Sequence, residues 1–175
     1  IVINCRDITE RKRAEEALGD SSDLLNRLAQ QVPGVIYQFR LSPDGRSCFP
    51  FASEAIRDIY EVTPEEVRED ATAVFSRLHP DDYAAVAASI ERSARTLEPW
   101  RFDYRVILPV QGIRWRSGHA RPERQADDSI LWHGFITDST ERKEAQRALE
   151  ESEQRYRIQI EHAPEAIVVF DVDRG

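Results

Sequence analysis

Apolar and polar residues change their spacing several times along this chain, and each change predicts an element. From Thr9 to about Gln31, the residues Ala14, Leu18, Ser21, Leu25, Leu28 and Val32 follow one another at spacings of 4, 3, 4, 3 and 4. That predicts a polar helix with the narrow heptad seam of a short two-stranded coiled coil. Pro33-Gly34 ends it. Val35–Leu41 reads as a strand, Ser42-Pro43-Asp44-Gly45 as a tight turn, and Arg46–Ala52 as the partner strand of a hairpin. Ser53–Tyr60 predicts a short helix with Ser53 at its N-cap, and Thr63-Pro64-Glu65-Glu66 starts another with Thr63 capping and Pro64 at the first helical position. Ala71–Arg77 adds a further turn. His79-Pro80-Asp81-Asp82 opens a long helix reaching about Leu97, with proline first and two acids in a turn where the helix dipole favours them. Ala84, Ala87, Ala88 and Ile90 are expected to form its small-residue face against a sheet.

The last third is strand-rich. Phe102, Tyr104 and Val106 alternate with Arg101, Asp103 and Arg105 within Trp100–Leu108. A turn at Gln111-Gly112 leads to Ile113–Arg121, and a polar loop at Glu123–Ser129 leads to Ile130–Asp138. Two strands, several short helices, one long helix and three strands predict an α+β fold, a five-stranded antiparallel sheet with helices gathered on one face.

The chain also repeats itself. Asp7-Ile8-Thr9-Glu10-Arg11-Lys12 returns as Asp138-Ser139-Thr140-Glu141-Arg142-Lys143, an offset of 131 residues (138 − 7). The register then holds without a gap: Ala14, Leu18 and Ser21 recur as Ala145, Leu149 and Ser152, and Pro33, Ile36 and Phe39 as Pro164, Ile167 and Phe170. A period this long suits a whole domain with its connector rather than a solenoid. The expectation is one complete unit, preceded by the tail of a similar unit and followed by the first strand of another.

Composition narrows the partners. A net charge of −8 argues against a nucleic-acid surface, which needs excess Lys and Arg to displace counterions. No apolar run approaches the roughly 20 residues that span a bilayer, so no membrane contact is expected within this stretch. Two cysteines, Cys5 and Cys48, are too few for a disulfide framework and suit a reduced, cytoplasmic setting.

A strand running into Asp138-Ser139-Thr140-Glu141-Arg142-Lys143 resembles the ending of the PAS sensor domain with its C-terminal PAC segment, and residues 7–12 match that ending outright. His79-Pro80-Asp81-Asp82 before the long helix, Asp103-Tyr104-Arg105 and Arg114-Trp115 resemble further PAS motifs, and Arg155-Tyr156-Arg157 with His162-Ala163-Pro164-Glu165-Ala166-Ile167 resembles the entry to a next PAS domain. The resemblance implies these divisions: 1–8, the end of a preceding unit; 9–31, a linker helix; 32–139, a PAS domain with PAC segment; 140–162, a linker signalling helix; and 163–175, the start of the next PAS domain. It further implies a bacterial sensory module that binds a small ligand, dimerises through its flanking helices, or both. Such a module passes conformational change to an output domain of the same chain, a histidine kinase or a diguanylate cyclase. A ligand-free spacer is the alternative.

Candidate chemistry is sparse. Asn4-Cys5-Arg6 resembles the core of a flavin-photoreceptor motif but lacks its continuation, and no histidine lies within 80–97 where haem-binding relatives carry one, so flavin and haem are both disfavoured. His119 and His133 are too far apart for metal-ligand spacing to carry meaning. No catalytic constellation is recognisable, and the stretch is not expected to be an enzyme. What remains is a cavity between sheet and helices, with Tyr37, Phe39, Phe51, Ile56, Tyr60, Tyr104, Trp115, Ser117, His119 and Phe135 as its expected walls. Aromatic residues on strands equally make a filled core. At the strand end, Thr140 is placed to cap the outgoing helix, and Asp138 to pair with Arg114 or Arg116 on a neighbouring strand, a joint that would relay sheet strain to that helix.

Overall fold

Two extended segments joined by a tight turn begin the folded unit. The computed structural model describes residues 34–161. The expected helix over 9–31, Asn4-Cys5-Arg6 and the onset of a further unit at 163–175 lie outside the described residues. Strand β1 (Val35–Leu41) pairs antiparallel with β2 (Ser47–Ala52). Gly45, at φ +85°, supplies the left-handed residue their turn requires, and its N–H donates to the Ser42 carbonyl at 3.0 Å. Three short helices follow, α1 (Ile56–Tyr60), α2 (Pro64–Val67) and α3 (Thr72–Phe75), then the long α4 (Pro80–Thr96). Strands β3 (Trp100–Leu108), β4 (Gly112–Arg124) and β5 (Ile130–Asp138) complete one five-stranded antiparallel sheet in the order β2-β1-β5-β4-β3. The last strand therefore occupies the centre of the sheet.

Local chemistry explains the helix starts. Thr63 accepts the Glu66 N–H while the Glu66 carboxylate accepts the Thr63 N–H, a complete capping box, with Pro64 at the first helical position. His79 caps α4, its Nδ1 accepting the Asp81 N–H at 3.3 Å. Asp82, in the first turn, grips Arg105 of β3 by both oxygens, at 2.5 Å to Nη2 and 3.0 Å to Nε, which ties the start of α4 to the sheet. Helix α4 stops at Leu97, which is left-handed at φ 57°.

Two expectations are corrected here. Ser53 does not cap α1; Ala55 precedes that helix, and the Ser53 hydroxyl accepts the Ile36 N–H at 3.1 Å instead. Ala84 and Ala88 face solvent, and α4 turns Val86, Ser89, Ile90 and Ser93 toward the sheet. The reason is polar: Trp100 Nε1 donates to Ser89 at 2.8 Å and Trp132 Nε1 to Ser93 at 3.0 Å. A buried indole N–H needs an acceptor, whereas an alanine costs little in water.

Helix α5 (Thr140–Glu161) begins directly after β5. The described residues divide into two compact units at this point, one ending at Thr140 and the other beginning at Glu141. Arg147 and Glu151 on α5 form an i, i+4 ion pair at 3.0 Å.

Candidate functional site

Alternation along the strands decides which side chains look inward. Across the inner face, Tyr37, Gly134, Ala120 and Trp100 form one row, and Asp138, Arg116 and Tyr104 another. The middle of the sheet is thus small: a Cβ on Gly118 would collide with the Trp100 ring, and one on Gly134 with the His119 carbonyl. Between this face and the helices lies a cavity of about 40 Å³. Its walls include Tyr37, Phe39, Phe49, Tyr60, Trp100, Tyr104 and Trp132, and no acidic or basic side chain is among them.

The polar end of the cavity is a group of tyrosines. The Tyr60 and Tyr104 hydroxyls are joined by a short hydrogen bond. Burial pushes Tyr60 up to about 12, and burial followed by the neighbouring phenols pushes Tyr104 and Tyr37 up as well, so all three phenols are neutral.

A second constellation lies at the edge of this core. The Arg116 side chain is wholly buried; its Nε donates to the Ile59 carbonyl of α1 at 2.9 Å, and its Nη1 meets Asp138 Oδ2 at 2.7 Å. The other carboxylate oxygen, Asp138 Oδ1, accepts the Thr140 N–H at 2.8 Å. Burial works against the charged form of Asp138, but the hydrogen bonds from Thr140 and the charge of Arg116 outweigh it and hold the carboxyl below its ordinary value. The Thr140 hydroxyl reaches back to β4, accepting the Trp115 N–H at 2.9 Å. One guanidinium therefore links a cavity helix to the residue that caps the outgoing helix.

Placement of the expected residues divides cleanly. Tyr37, Phe39, Tyr60 and Tyr104 line the cavity. Ile56 is buried in the core beside it without forming its wall. Phe51, Trp115, Ser117, His119 and Phe135 belong to the opposite face of the sheet: Phe51 and Phe135 are 38% and 41% exposed, His119 stacks on Phe135, and Arg105 lies over Trp115. On β4 the inward set is Arg116, Gly118 and Ala120, less apolar than the outward set, so hydrophobicity pointed to the wrong parity. On β2 a register shift opposite Gln38–Arg40 puts both Phe49 and Ala52 inside, three residues apart. Phe49, Trp100 and Trp132 were not expected as walls; carrying the phase of Tyr104 back to Trp100 would have found one of them. Arg116, in register with Asp138, is its partner, whereas Arg114 stands opposite Val106. The cap of α5 is the Asp138 carboxylate rather than the Thr140 hydroxyl.

Comparison with known proteins agrees with this architecture. Residues 49–136 match the family model described as the PAS fold. The uncharacterized protein y4lL of Sinorhizobium fredii is 29% identical over 177 residues, covering 97% of this chain and 20% of that protein. The two-component sensor PprA of Pseudomonas aeruginosa is 29% identical over 173 residues, covering 95% and 18% respectively. The chain thus spans about a fifth of the length of the curated relatives it matches. A sensory box histidine kinase/response regulator from Burkholderia thailandensis superposes with a TM-score of 0.54 at 22% identity, over 70% of this chain and 90% of that one.

Proposed function

Because this chain belongs to the PAS fold family, we propose that it is a sensory module of signal transduction whose cavity takes a small ligand, with the ligand's presence relayed through Arg116, Asp138 and Thr140 into helix α5. The observation that carries this reading is the double attachment of Arg116, to the Ile59 carbonyl one residue before the cavity-lining Tyr60 and to the carboxylate that caps α5. Tyr104 stands opposite Arg116 in the sheet and hydrogen-bonds Tyr60, whose neighbour Ile59 accepts from Arg116. A ligand acts here through a difference in affinity between two states of this joint. Residues 32–139 form the domain in this reading, with a PAC segment at its end, and 140–162 the signalling helix.

The module works as a homodimer through its flanking helices. Support comes from α5, where Ala145, Leu149, Ser152 and Tyr156 follow at heptad spacing and the two large ones are 61% and 67% exposed. The output is a histidine kinase or a diguanylate cyclase elsewhere in the same cytoplasmic chain, and the fragment itself is not catalytic. No helix among the described residues is long and apolar enough to cross a membrane.

Asp138→Ala in the parent protein tests the relay. The domain should stay folded while output stops following the stimulus; regulation like that of the unaltered protein refutes it. A ligand-free spacer is the second reading, favoured by the smallness of the cavity. Absorbance and mass spectrometry on denatured extracts of purified protein separate the two: a stoichiometric small molecule supports sensing.

A further inference from the structure

We infer that the cavity selects an uncharged, mainly apolar molecule of a few non-hydrogen atoms that carries a carbonyl-type hydrogen-bond acceptor. The inference rests on the ligand-binding reading above and adds the ligand's chemistry.

The argument is an inventory of hydrogen-bonding groups. Five lining residues carry a polar atom: Tyr37, Tyr60, Trp100, Tyr104 and Trp132. Both indole N–H groups are engaged, Trp100 with Ser89 and Trp132 with Ser93. The two serine hydroxyls in turn donate to the carbonyls of Val86 and Glu98, at 2.7 Å each. Tyr60 and Tyr104 share one hydrogen bond, which uses one of their two protons and leaves the other unplaced. The Tyr37 hydroxyl, on a side chain that is 5% exposed and lines the cavity, makes no hydrogen bond among the described residues. Arg116, in register with Tyr104, has its Nη2 buried without a partner. The phenol oxygens can accept as well as donate, but at least one phenol proton and the Arg116 Nη2 protons meet no acceptor among the described residues, and an unmet buried donor is costly.

Charge and size narrow the class further. The wall has no carboxylate to balance a cation, and Arg116, whose charge acts on Tyr60 and Tyr104, is already paired with Asp138. An ion of either sign would enter an apolar box uncompensated. A cavity of about 40 Å³ is a few times the roughly 10–15 Å³ that one enclosed water requires, so only a few non-hydrogen atoms enter without moving the walls.

Four planar probes of one shape test this: acetone, isobutene, acetate and acetamidinium. Each is titrated into the 175-residue chain, and the indole N–H signals of Trp100 and Trp132 are followed by heteronuclear NMR. Trp115, on the other face of the sheet, is the internal control. Acetone should shift the two cavity signals saturably and bind about tenfold more tightly than isobutene, with the two ions not binding. Tyr37→Phe should weaken acetone about fivefold and leave isobutene unchanged; Tyr104→Phe serves as the second variant if the first does not fold. If isobutene binds as well as acetone, or either ion binds best, the assigned chemistry falls while the ligand-binding reading stands. If no probe moves the cavity signals, both fall.

Discussion

Arg116 and Asp138 face each other across β4 and β5, a wholly buried guanidinium 2.7 Å from a half-exposed carboxylate. The geometry is lopsided, and the consequences of breaking it are lopsided too. Removing the acid strands a buried cation, whereas removing the cation leaves an acid that water can reach.

Asp138→Ala is expected to lose about 2 kcal/mol of stability, less than the 3–5 kcal/mol typical of a fully buried pair because one partner is solvated. Arg116→Met should lose less than Asp138→Ala. The double variant should be more stable than the sum of the single losses implies, by at least about 1 kcal/mol. Urea denaturation of the four proteins measures this, and strict additivity would show that the two side chains are uncoupled.

Acid should weaken the fold in a defined direction. Asp82 is held below its ordinary value by hydrogen bonds from Arg105, and Asp138 by Thr140 and Arg116 against burial. In the unfolded chain both carboxyls take up a proton near pH 3.9, while in the folded state they stay ionised to lower pH. The unfolded state then binds more protons, so this contribution is complete above about pH 5 and disappears as pH falls through the folded values. Asp82→Asn should flatten the stability profile between about pH 5 and pH 2. An unchanged slope would mean that Asp82 titrates alike in both states.

Gly118→Ala would set a methyl group against the Trp100 ring. The ring is held by Ser89 and packs near Tyr104 at a centroid distance of 6.2 Å, so it has little freedom to yield. A loss of about 1–3 kcal/mol is expected, with a change in near-ultraviolet circular dichroism from the displaced indole. A variant as stable as the original would show that the ring can move aside.

How far the residues alone led follows the physics of each element. Val35–Leu41, Trp100–Leu108 and Ile130–Asp138 are strands with the expected ends, because glycine, proline and polar turns punctuate them. Strand β4 runs longer than expected, over Gly112–Arg124, since its pairing with β3 and β5 continues through residues that look like loop. The inner face of β4 was illegible: an arginine, a glycine and an alanine do not announce a core. They make sense only beside Trp100 and Asp138, which lie on other strands. The face of α4 was hidden similarly, since Ser89 and Ser93 become core residues only when two indoles need them. Arg116 was one of two arginines in view, and register chose between them.

Tyr37, Tyr60 and Tyr104 make up three of the five tyrosines in the chain. The enclosed three gain phenolate absorbance at 295 nm only when the sheet opens. Above pH 10 the unfolded chain sheds protons that the folded one keeps, so stability declines as alkalinity rises. In an ultraviolet titration the phenolate signal of these three should therefore arrive together with unfolding.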